Sequence, residues 1–161
     1  KVHRCLQLLE RMKDLGARGY TKSRPNSYAY NYLIDACATS LNGLHSPTKL
    51  HADPGNKPSD AFRIASQLFT QILSSSDTTL QADPYTYGFY LKACYHLLPN
   101  QGSITGSTSG DGTKTLETIA TKAFQLASRN GQVSKEVIYW YQLACPEVDY
   151  KRMLGPDSLV Q

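Results

Sequence analysis

Two stretches of the chain decide how it folds: Ser27-Tyr-Ala-Tyr-Asn-Tyr-Leu-Ile-Asp-Ala-Cys-Ala38 and Pro84-Tyr-Thr-Tyr-Gly-Phe-Tyr-Leu-Lys-Ala-Cys-Tyr95. They align without a gap, 57 residues apart, and share their Tyr-x-Tyr and Ala-Cys pairs. A third and weaker copy ends in Trp140-Tyr-Gln-Leu-Ala-Cys145. Self-similarity of this kind is typical of repeated supersecondary units, so the chain is predicted to consist of repeats.

The secondary structure of these copies is at first ambiguous, because the tyrosines between residues 28 and 32 alternate as they would in a strand. The wider apolar pattern favours helices, since it follows the i, i+3, i+4, i+7 spacing of an amphipathic helix. The residues with this spacing are Tyr30, Leu33, Ile34, Cys37 and Leu41 in the first copy, and Tyr87, Tyr90, Leu91, Cys94 and Leu98 in the second. Asp83 before Pro84 predicts a helix N-cap, and Asn26 is the equivalent cap.

Three further stretches each carry one apolar stripe. Together with the copies they predict an all-α chain whose six helices lie near residues 2–15, 27–40, 60–74, 84–97, 115–130 and 135–145. Asp60 is placed to cap the third helix. Gly16 and Gly131 are predicted to be left-handed C-caps of the first and fifth helices.

Two long segments rich in Pro, Gly, Ser and Thr interrupt this order, at residues 41–59 and 99–115. They offer little to bury and are expected to be mobile insertions, the second of them dispensable. The expected organisation is a single repeat array over residues 1–161. Its parts are a partial repeat 1–26, a repeat 27–83, a repeat 84–134, a terminal helix 135–145 and a tail 146–161.

Composition and charge exclude some classes of protein. No apolar run of the 161 residues approaches the ~20 that a membrane helix needs, so a membrane-spanning protein is not expected. The formal net charge is +4, and residues 1–25 alone hold +5. This asymmetry predicts either a contact with a polyanion at the N-terminal end or a solvated helix face.

No pattern of catalytic or metal-binding residues is present. The four cysteines are far apart and form no C-x-x-C pair, which argues against a zinc site or a disulfide framework and favours buried small residues. They are Cys5, Cys37, Cys94 and Cys145. His45, His51 and Asp53 lack the rigid spacing of metal ligands. The sequence therefore predicts no cofactor, no metal and no enzyme.

The run from Pro25 to Ala36 resembles the start of a pentatricopeptide repeat, and Cys5-Leu-Gln-Leu-Leu-Glu-Arg-Met-Lys-Asp-Leu-Gly16 resembles the second helix of a preceding one. Residues 82–87 and 65–73 are similar to the same two elements. The resemblance implies a right-handed superhelix of helical hairpins, about 35 residues each, that binds single-stranded RNA at roughly one base per repeat. It also implies action on transcripts in a mitochondrion or plastid, in their stability, processing, editing or translation.

The same resemblance implies where bases are recognised. In the family, the fifth residue of the first helix acts with the last residue of the repeat, and here these are Asn31 and Asp83. This pair is expected to favour uracil, with the Asn31 amide at the base edge and the Asp83 carboxylate fixing the amide. In the next repeat the positions fall on Gly88 and approximately Ser134, which is no standard pair because glycine has no side chain to contact a base.

Two further sets of residues are candidates for RNA contact. Tyr28 and Tyr85 occupy the place of an aliphatic residue that sandwiches bases in the family, so they are expected to stack on bases or to belong to the core. Cations of the N-terminal segment are expected to contact phosphates. They are Lys13, Arg18, Lys22 and Arg24.

Alternatives remain open at this stage. Asn31 is equally compatible with a surface position or with a hydrogen bond to a neighbouring helix. A protein-interaction scaffold of the same architecture is the competing hypothesis for the whole chain. It is favoured by the low net charge, by the absence of a basic row on the first helices of the repeats and by Gly88.

Overall fold

The computed structural model of the protein describes residues 2–40, 58–98 and 111–146, and of residues 111–114 it describes the backbone alone. These residues form six α-helices and one short 3-10 turn, Thr21–Ser23, with no strand among them. The helices are α1 (Val2–Ala17), α2 (Ser27–Thr39), α3 (Pro58–Ser74), α4 (Pro84–Leu97), α5 (Asp111–Arg129) and α6 (Lys135–Ala144). The predicted all-α class is confirmed, and the helical prediction for residues 28–34 is correct.

Three of the helices, α2, α4 and α6, begin in the same way. The side chains of Asn26, Asp83 and Ser134 each accept a hydrogen bond from the backbone N–H three residues further on, at 3.1, 2.8 and 3.3 Å. Such caps satisfy a backbone donor that a helix otherwise leaves unpaired. The predicted caps at Asn26 and Asp83 are therefore confirmed, and Ser134 is the cap of the third copy.

One predicted C-cap is confirmed and another is wrong. Gly131 has a positive φ of 65°, and the N–H of Gln132 donates to the Ala127 carbonyl at 2.8 Å, as expected of a left-handed helix end. Gly16 lies inside α1, and Gly19 with φ of 97° ends that helix instead. The end at Gly19 is closed by the Tyr20 N–H, which donates to the Leu15 carbonyl at 3.0 Å, whereas a close approach accounts for Gly16, since a Cβ there would lie 2.6 Å from Cγ of Arg24.

Two predicted helix starts are also too late. Helix α3 begins at Pro58, so Asp60 lies in its first turn and is not its cap. Helix α5 begins at Asp111 and takes residues 111–115 from the predicted insertion 99–115. Polar residues join an existing helix easily, since each added residue gains a backbone hydrogen bond without a new nucleation step. The other residues of the two predicted insertions, and their predicted mobility, lie outside the described residues.

The helices pack in a repeated arrangement. Helix α4 packs against both α2 and α6, and we call these three helices the A row. The other three are called the B helices. Among them α1 packs on α2, α3 packs on α2 and α4, and α5 packs on α4 and α6. None of the helices in the described part of the chain is long and apolar enough to cross a membrane.

An aromatic contact recurs where a B helix meets the next helix of the A row. Phe69 of α3 stacks on Tyr90 of α4 with ring centroids 4.0 Å apart, and Phe124 of α5 stacks on Tyr141 of α6 at 4.2 Å. The hydroxyls of the two tyrosines lie 3.2 and 3.1 Å from Ser66 and Thr121, each three residues before the phenylalanine. The two junctions are thus built from equivalent residues.

The cysteines of the three copies are free and lie in the core, as predicted. Cys37, Cys94 and Cys145 are buried, whereas Cys5 is half-buried. Burial raises the pKa of Cys37 to about 12 and that of Cys145 to about 11. Because the thiolate is the reactive form, these buried thiols are chemically inert at neutral pH.

Candidate nucleic-acid interface

The junction between α2 and α4 brings together the two residues expected to recognise a base. Asn31 lies in the second turn of α2, and Asp83 is the N-cap of α4. The Asn31 side-chain amide donates to Oδ1 of Asp83 at 3.0 Å. A carboxylate can only accept hydrogen bonds, so it holds the NH₂ end of the amide towards itself. The carboxylate thereby fixes the orientation of the amide.

A third residue, Thr86, completes this junction. Its hydroxyl oxygen lies 2.8 Å from Oδ1 of Asn31 and 2.9 Å from Oδ1 of Asp83, and it accepts the Asp83 backbone N–H at 3.1 Å. The single hydroxyl proton is directed to one of these two oxygens at a time. The sequence signal for Thr86 was its place three residues after the cap, which is the second half of a capping box.

The Asn31 side chain is closed to solvent in this structure. The residue is 2% exposed, and both ends of its amide have partners within the junction. A base can meet this amide only after the junction opens locally. Of the alternatives for Asn31, a surface position is thereby excluded, and a hydrogen bond to the neighbouring helix is present.

Tyrosines project from every helix of the A row. Tyr28 and Tyr85 are 64% and 56% exposed, so they do not belong to the core and remain candidates for stacking. The Tyr85 ring lies 6.0 Å from that of Phe89. Tyr139 on α6 is similarly exposed. In the alignment of the three copies, Tyr139 corresponds to Asn31 and Gly88. The position shared by Tyr28 and Tyr85 therefore did not indicate it as a stacking residue.

The equivalent junction between α4 and α6 does not repeat this hydrogen-bond network. Gly88 is buried against α6, where a Cβ would lie 3.5 Å from Cγ of Glu136 and 4.0 Å from Cγ2 of Val137. Val137 takes the place of Thr86, and the Ser134 hydroxyl accepts the Val137 backbone N–H. The structure places Gly88 and Ser134 at the expected positions, and they offer no amide or carboxylate there.

An ion pair that was not predicted from the sequence joins α2 and α4 of the A row. Nζ of Lys92 on α4 lies 2.7 Å from Oδ1 of Asp35 on α2, and both side chains are partly buried. The same ammonium lies 5.5 Å from the Trp140 ring centroid of α6 and 6.0 Å from that of Phe89. Asp35 and Lys92 occupy equivalent positions of the two copies, 57 residues apart, so opposite charges at equivalent positions were the available signal.

The A row carries little positive charge. Its two lysines, Lys92 and Lys135, are outnumbered by three carboxylates, those of Asp35, Asp83 and Glu136. Lys92 is moreover paired with Asp35. A phosphate backbone is attracted chiefly by Lys and Arg. Cations that neutralise phosphates must therefore come from outside this row.

Two of the candidate phosphate contacts meet beside the C-terminal end of α1. Lys13 and Arg24 line one cavity of about 320 Å³, together with Tyr30 and Asp77. Nζ of Lys13 binds Glu10 at 2.8 Å. Hydrogen bonds from the Thr79 backbone and hydroxyl, with the nearby charge of Arg24, hold the pKa of Asp77 below its usual value. Arg18 and Lys22 are exposed residues that do not line this cavity.

Among residues 2–40, 58–98 and 111–146 no three or more His, Cys, Asp or Glu side chains lie close enough together to hold a metal ion. His45, His51 and Asp53 lie outside the described residues.

In comparisons with known proteins, no family model matches the chain, and no curated protein or solved structure is significantly similar to it. The resemblance to pentatricopeptide repeats stays a prediction from the motifs at residues 5–16, 25–36, 65–73 and 82–87.

Proposed function

We propose that the protein is a non-enzymatic, RNA-binding helical-repeat protein whose A row binds single-stranded RNA. The observation that carries this proposal is the hydrogen bond between the Asn31 amide and the Asp83 carboxylate. It is the arrangement that the resemblance to pentatricopeptide repeats implies for a uracil-favouring pair. By the same resemblance, the protein acts on mitochondrial or plastid transcripts, in their stability, processing or translation.

The repeated packing supports the architecture in this proposal. Two successive junctions between a B helix and the A row use the same Phe-on-Tyr stack and the same hydroxyl contact. Units that contact their neighbours through equivalent residues stack in a regular array. We therefore infer pentatricopeptide-like hairpins stacked into a right-handed α-α superhelix, with the A row on its concave side.

The contacts in this proposal divide into two kinds. The exposed rings of Tyr28, Tyr85 and Tyr139 are available to stack on bases, which every base can do because each has a π face. Lys13 and Arg24 are available for phosphates, which supply affinity without base preference. Base preference is then assigned to Asn31, once binding opens the junction between α2 and α4.

The chain has a built-in reporter for a binding test. Trp140 is its single tryptophan, and its ring lies 5.1 Å from that of Tyr139 in the A row. Titration with uridylate and adenylate 12-mers at low salt is expected to change its fluorescence saturably, with tighter binding of uridylate. No saturable change with any homopolymer would contradict RNA binding by this chain.

Matched variants assign the contacts. The double variant Tyr28→Ser, Tyr85→Ser is expected to weaken RNA binding at least tenfold, because stacking contributes about 1–3 kcal/mol per base. Tyr20→Ser is the control, since Tyr20 is as exposed as Tyr28, at 64%, but lies outside the A row. Equal losses in the two proteins would remove the stacking role. Arg24→Ala is expected to weaken all homopolymers alike and to lower the salt dependence.

A protein-interaction scaffold of the same architecture is the second candidate, and one observation favours it. The Lys92–Asp35 pair neutralises the central cation of the A row, where an RNA-binding surface would keep it free. If the scaffold is correct, homopolymers leave the fluorescence unchanged at low salt.

A further inference from the structure

The side chain of Glu136 lies over the one fifth helical position that has no side chain of its own. A Cβ on Gly88 would lie 3.5 Å from Cγ and 3.7 Å from Cδ of Glu136, and Cδ is the carboxylate carbon. The carboxylate of α6 therefore lies beside the place from which a fifth-position side chain of α4 would start. At the equivalent place in the first copy, α2 has the Asn31 amide.

Glu136 differs from Asn31 in its access to solvent. Asn31 is 2% exposed, and its amide is engaged within the α2–α4 junction. Glu136 is an exposed residue, and its Oε1 accepts the indole N–H of Trp140 at 3.4 Å. A carboxylate has two oxygens with about four acceptor sites, so this donor leaves acceptor capacity for a ligand. A ligand reaches this carboxylate without opening a junction between helices.

Aromatic rings surround the same carboxylate. The Tyr139 ring, 55% exposed, lies 5.1 Å from the ring of Trp140. The Lys92 ammonium and the His96 ring centroid each lie 5.5 Å from the centroid of this indole. These contacts hold the indole, and its N–H in turn orients Glu136. A base that stacks on these rings has its edge within reach of the carboxylate.

A carboxylate selects among bases by their N–H groups, because it can only accept hydrogen bonds. The bases of single-stranded RNA are recognised through such edges. Guanine has two neighbouring donors on its Watson–Crick edge, the N1–H and the N2 amino group, and they match the two oxygens of one carboxylate. Hypoxanthine keeps the N1–H alone. Cytosine offers its amino group beside a ring nitrogen lone pair, and uracil offers one N–H between two carbonyl oxygens, which a carboxylate repels.

We propose that Glu136 recognises the base at the second copy and that it selects guanine. This inference rests on the proposed RNA-binding function of the A row, and it assigns a preference to a copy in which Gly88 and Ser134 supply none. The two carboxylate oxygens accept the N1–H and the amino group of guanine while the base stacks on the neighbouring rings. Because Asn31 is assigned to uracil, the chain is expected to prefer RNA in which uridine and guanosine are adjacent.

Three RNA 12-mers test the preference, in which uridine alternates with guanosine, inosine or cytidine. Alternation gives each test base a uridine neighbour on both sides within the strand, so the direction of the strand along the A row does not matter. In titrations followed by Trp140 fluorescence at low salt, the guanosine 12-mer is expected to bind about tenfold more tightly than the cytidine 12-mer, on the scale of a paired base contact. The inosine 12-mer is expected to lie between them, because it keeps one of the two donors.

A matched pair of variants locates the effect. Glu136 and Asp60 are both exposed carboxylates in the first turn of their helices, α6 and α3, and α3 lies outside the A row. Glu136→Ala is expected to reduce the preference for guanosine over cytidine to less than about twofold. Asp60→Ala removes the same charge from the same kind of helix end and is expected to leave the preference unchanged. Circular dichroism verifies that both variants keep their helix content.

Three results would overturn the role of Glu136 while RNA binding itself persists. They are equal binding of the guanosine and cytidine 12-mers by the unchanged protein, a guanosine preference that survives Glu136→Ala, and an equal loss of preference in Asp60→Ala. A fourth result, no saturable binding of any 12-mer including uridylate, would contradict RNA binding by the chain and overturn this inference together with the proposed function.

Discussion

The α2–α4 junction and the α4–α6 junction begin from the same backbone frame and are filled differently. In the first, Asn31, Asp83 and Thr86 form a buried hydrogen-bond network. In the second, Gly88 packs against the side chains of Glu136 and Val137. The N-caps of the copies are equivalent, so the way in which the helices begin is repeated although the contacts between neighbouring helices differ. The repeated geometry therefore comes from local capping, whereas the polarity of each junction depends on the residues at the fifth helical position, at the cap and three residues after the cap.

The two junctions also differ in how they respond to loss of one group. A buried polar network is favourable when every member has a partner, but removal of one partner leaves the others buried and unsatisfied. Gly88 has no side chain that takes part in such a network, so its replacement leaves no partner unsatisfied. The first junction is expected to be the more sensitive of the two, and three pairs of variants test this.

The largest effect is expected from Asp83→Ala. It removes the N-cap of α4 and leaves the buried Asn31 amide without its acceptor, which together should lower the free energy of unfolding by about 2–4 kcal/mol. Ser134→Ala removes only a cap and should lower it by about 1 kcal/mol. Urea denaturation of both variants measures the difference. Equal losses would mean that the Asn31 contact contributes nothing beyond the cap.

Opposite signs are expected at the two equivalent fifth positions. Asn31→Ala should lower the free energy of unfolding by about 1–3 kcal/mol, because it leaves buried polar groups without a hydrogen-bond partner. Gly88→Ala should raise it by about 0.5–1 kcal/mol, since alanine is the better helix former and its Cβ would meet Glu136 at an ordinary contact distance of 3.5 Å. Thermal unfolding of the two variants gives the signs directly. A destabilised Gly88→Ala would show that this junction is more tightly packed than its distances indicate.

The smallest effect is expected from the ion pair that spans the A row. Asp35→Asn removes the charge partner of Lys92, and a partly exposed pair of this kind contributes about 1 kcal/mol or less. Glu10→Gln is the control, because the Glu10–Lys13 pair is more exposed and lies within one helix. The loss should shrink at high salt, as screening weakens both pairs. A loss for Asp35→Asn that is independent of salt would indicate lost packing instead.

The helices and three of the caps, Asn26, Asp83 and Gly131, were predictable because their signals are local. Asn26 and Asp83 cap helices whose first turns lie within four residues of them, and the apolar stripes identify which segments bury a face. Gly16 was mispredicted for a reason that lies outside its own helix. The close approach of Arg24 accounts for a glycine within α1, and the left-handed position falls on Gly19.

Parts of the candidate site were less accessible from the sequence. The resemblance singled out Asn31 and Asp83, which contact each other across 52 residues. It did not indicate that the amide is closed to solvent, that Thr86 shares the junction, or that Lys92 reaches both Asp35 and Trp140. Those properties depend on the separation and rotation of neighbouring helices, which no single segment encodes.

The sequence by itself determined that this chain is helical, where α1, α2, α4 and α6 begin, and that three helices are copies of one pattern, because capping and amphipathic spacing act within a few residues. Only the tertiary structure decided which side chains of the copies are buried and which are open. Leu8 and Leu68 occupy the same place in similar helices, yet one is exposed and the other is in the core. The difference arises because burial is a property of what packs on a residue: α2 packs on α3, whereas none of the described helices covers Leu8 on α1.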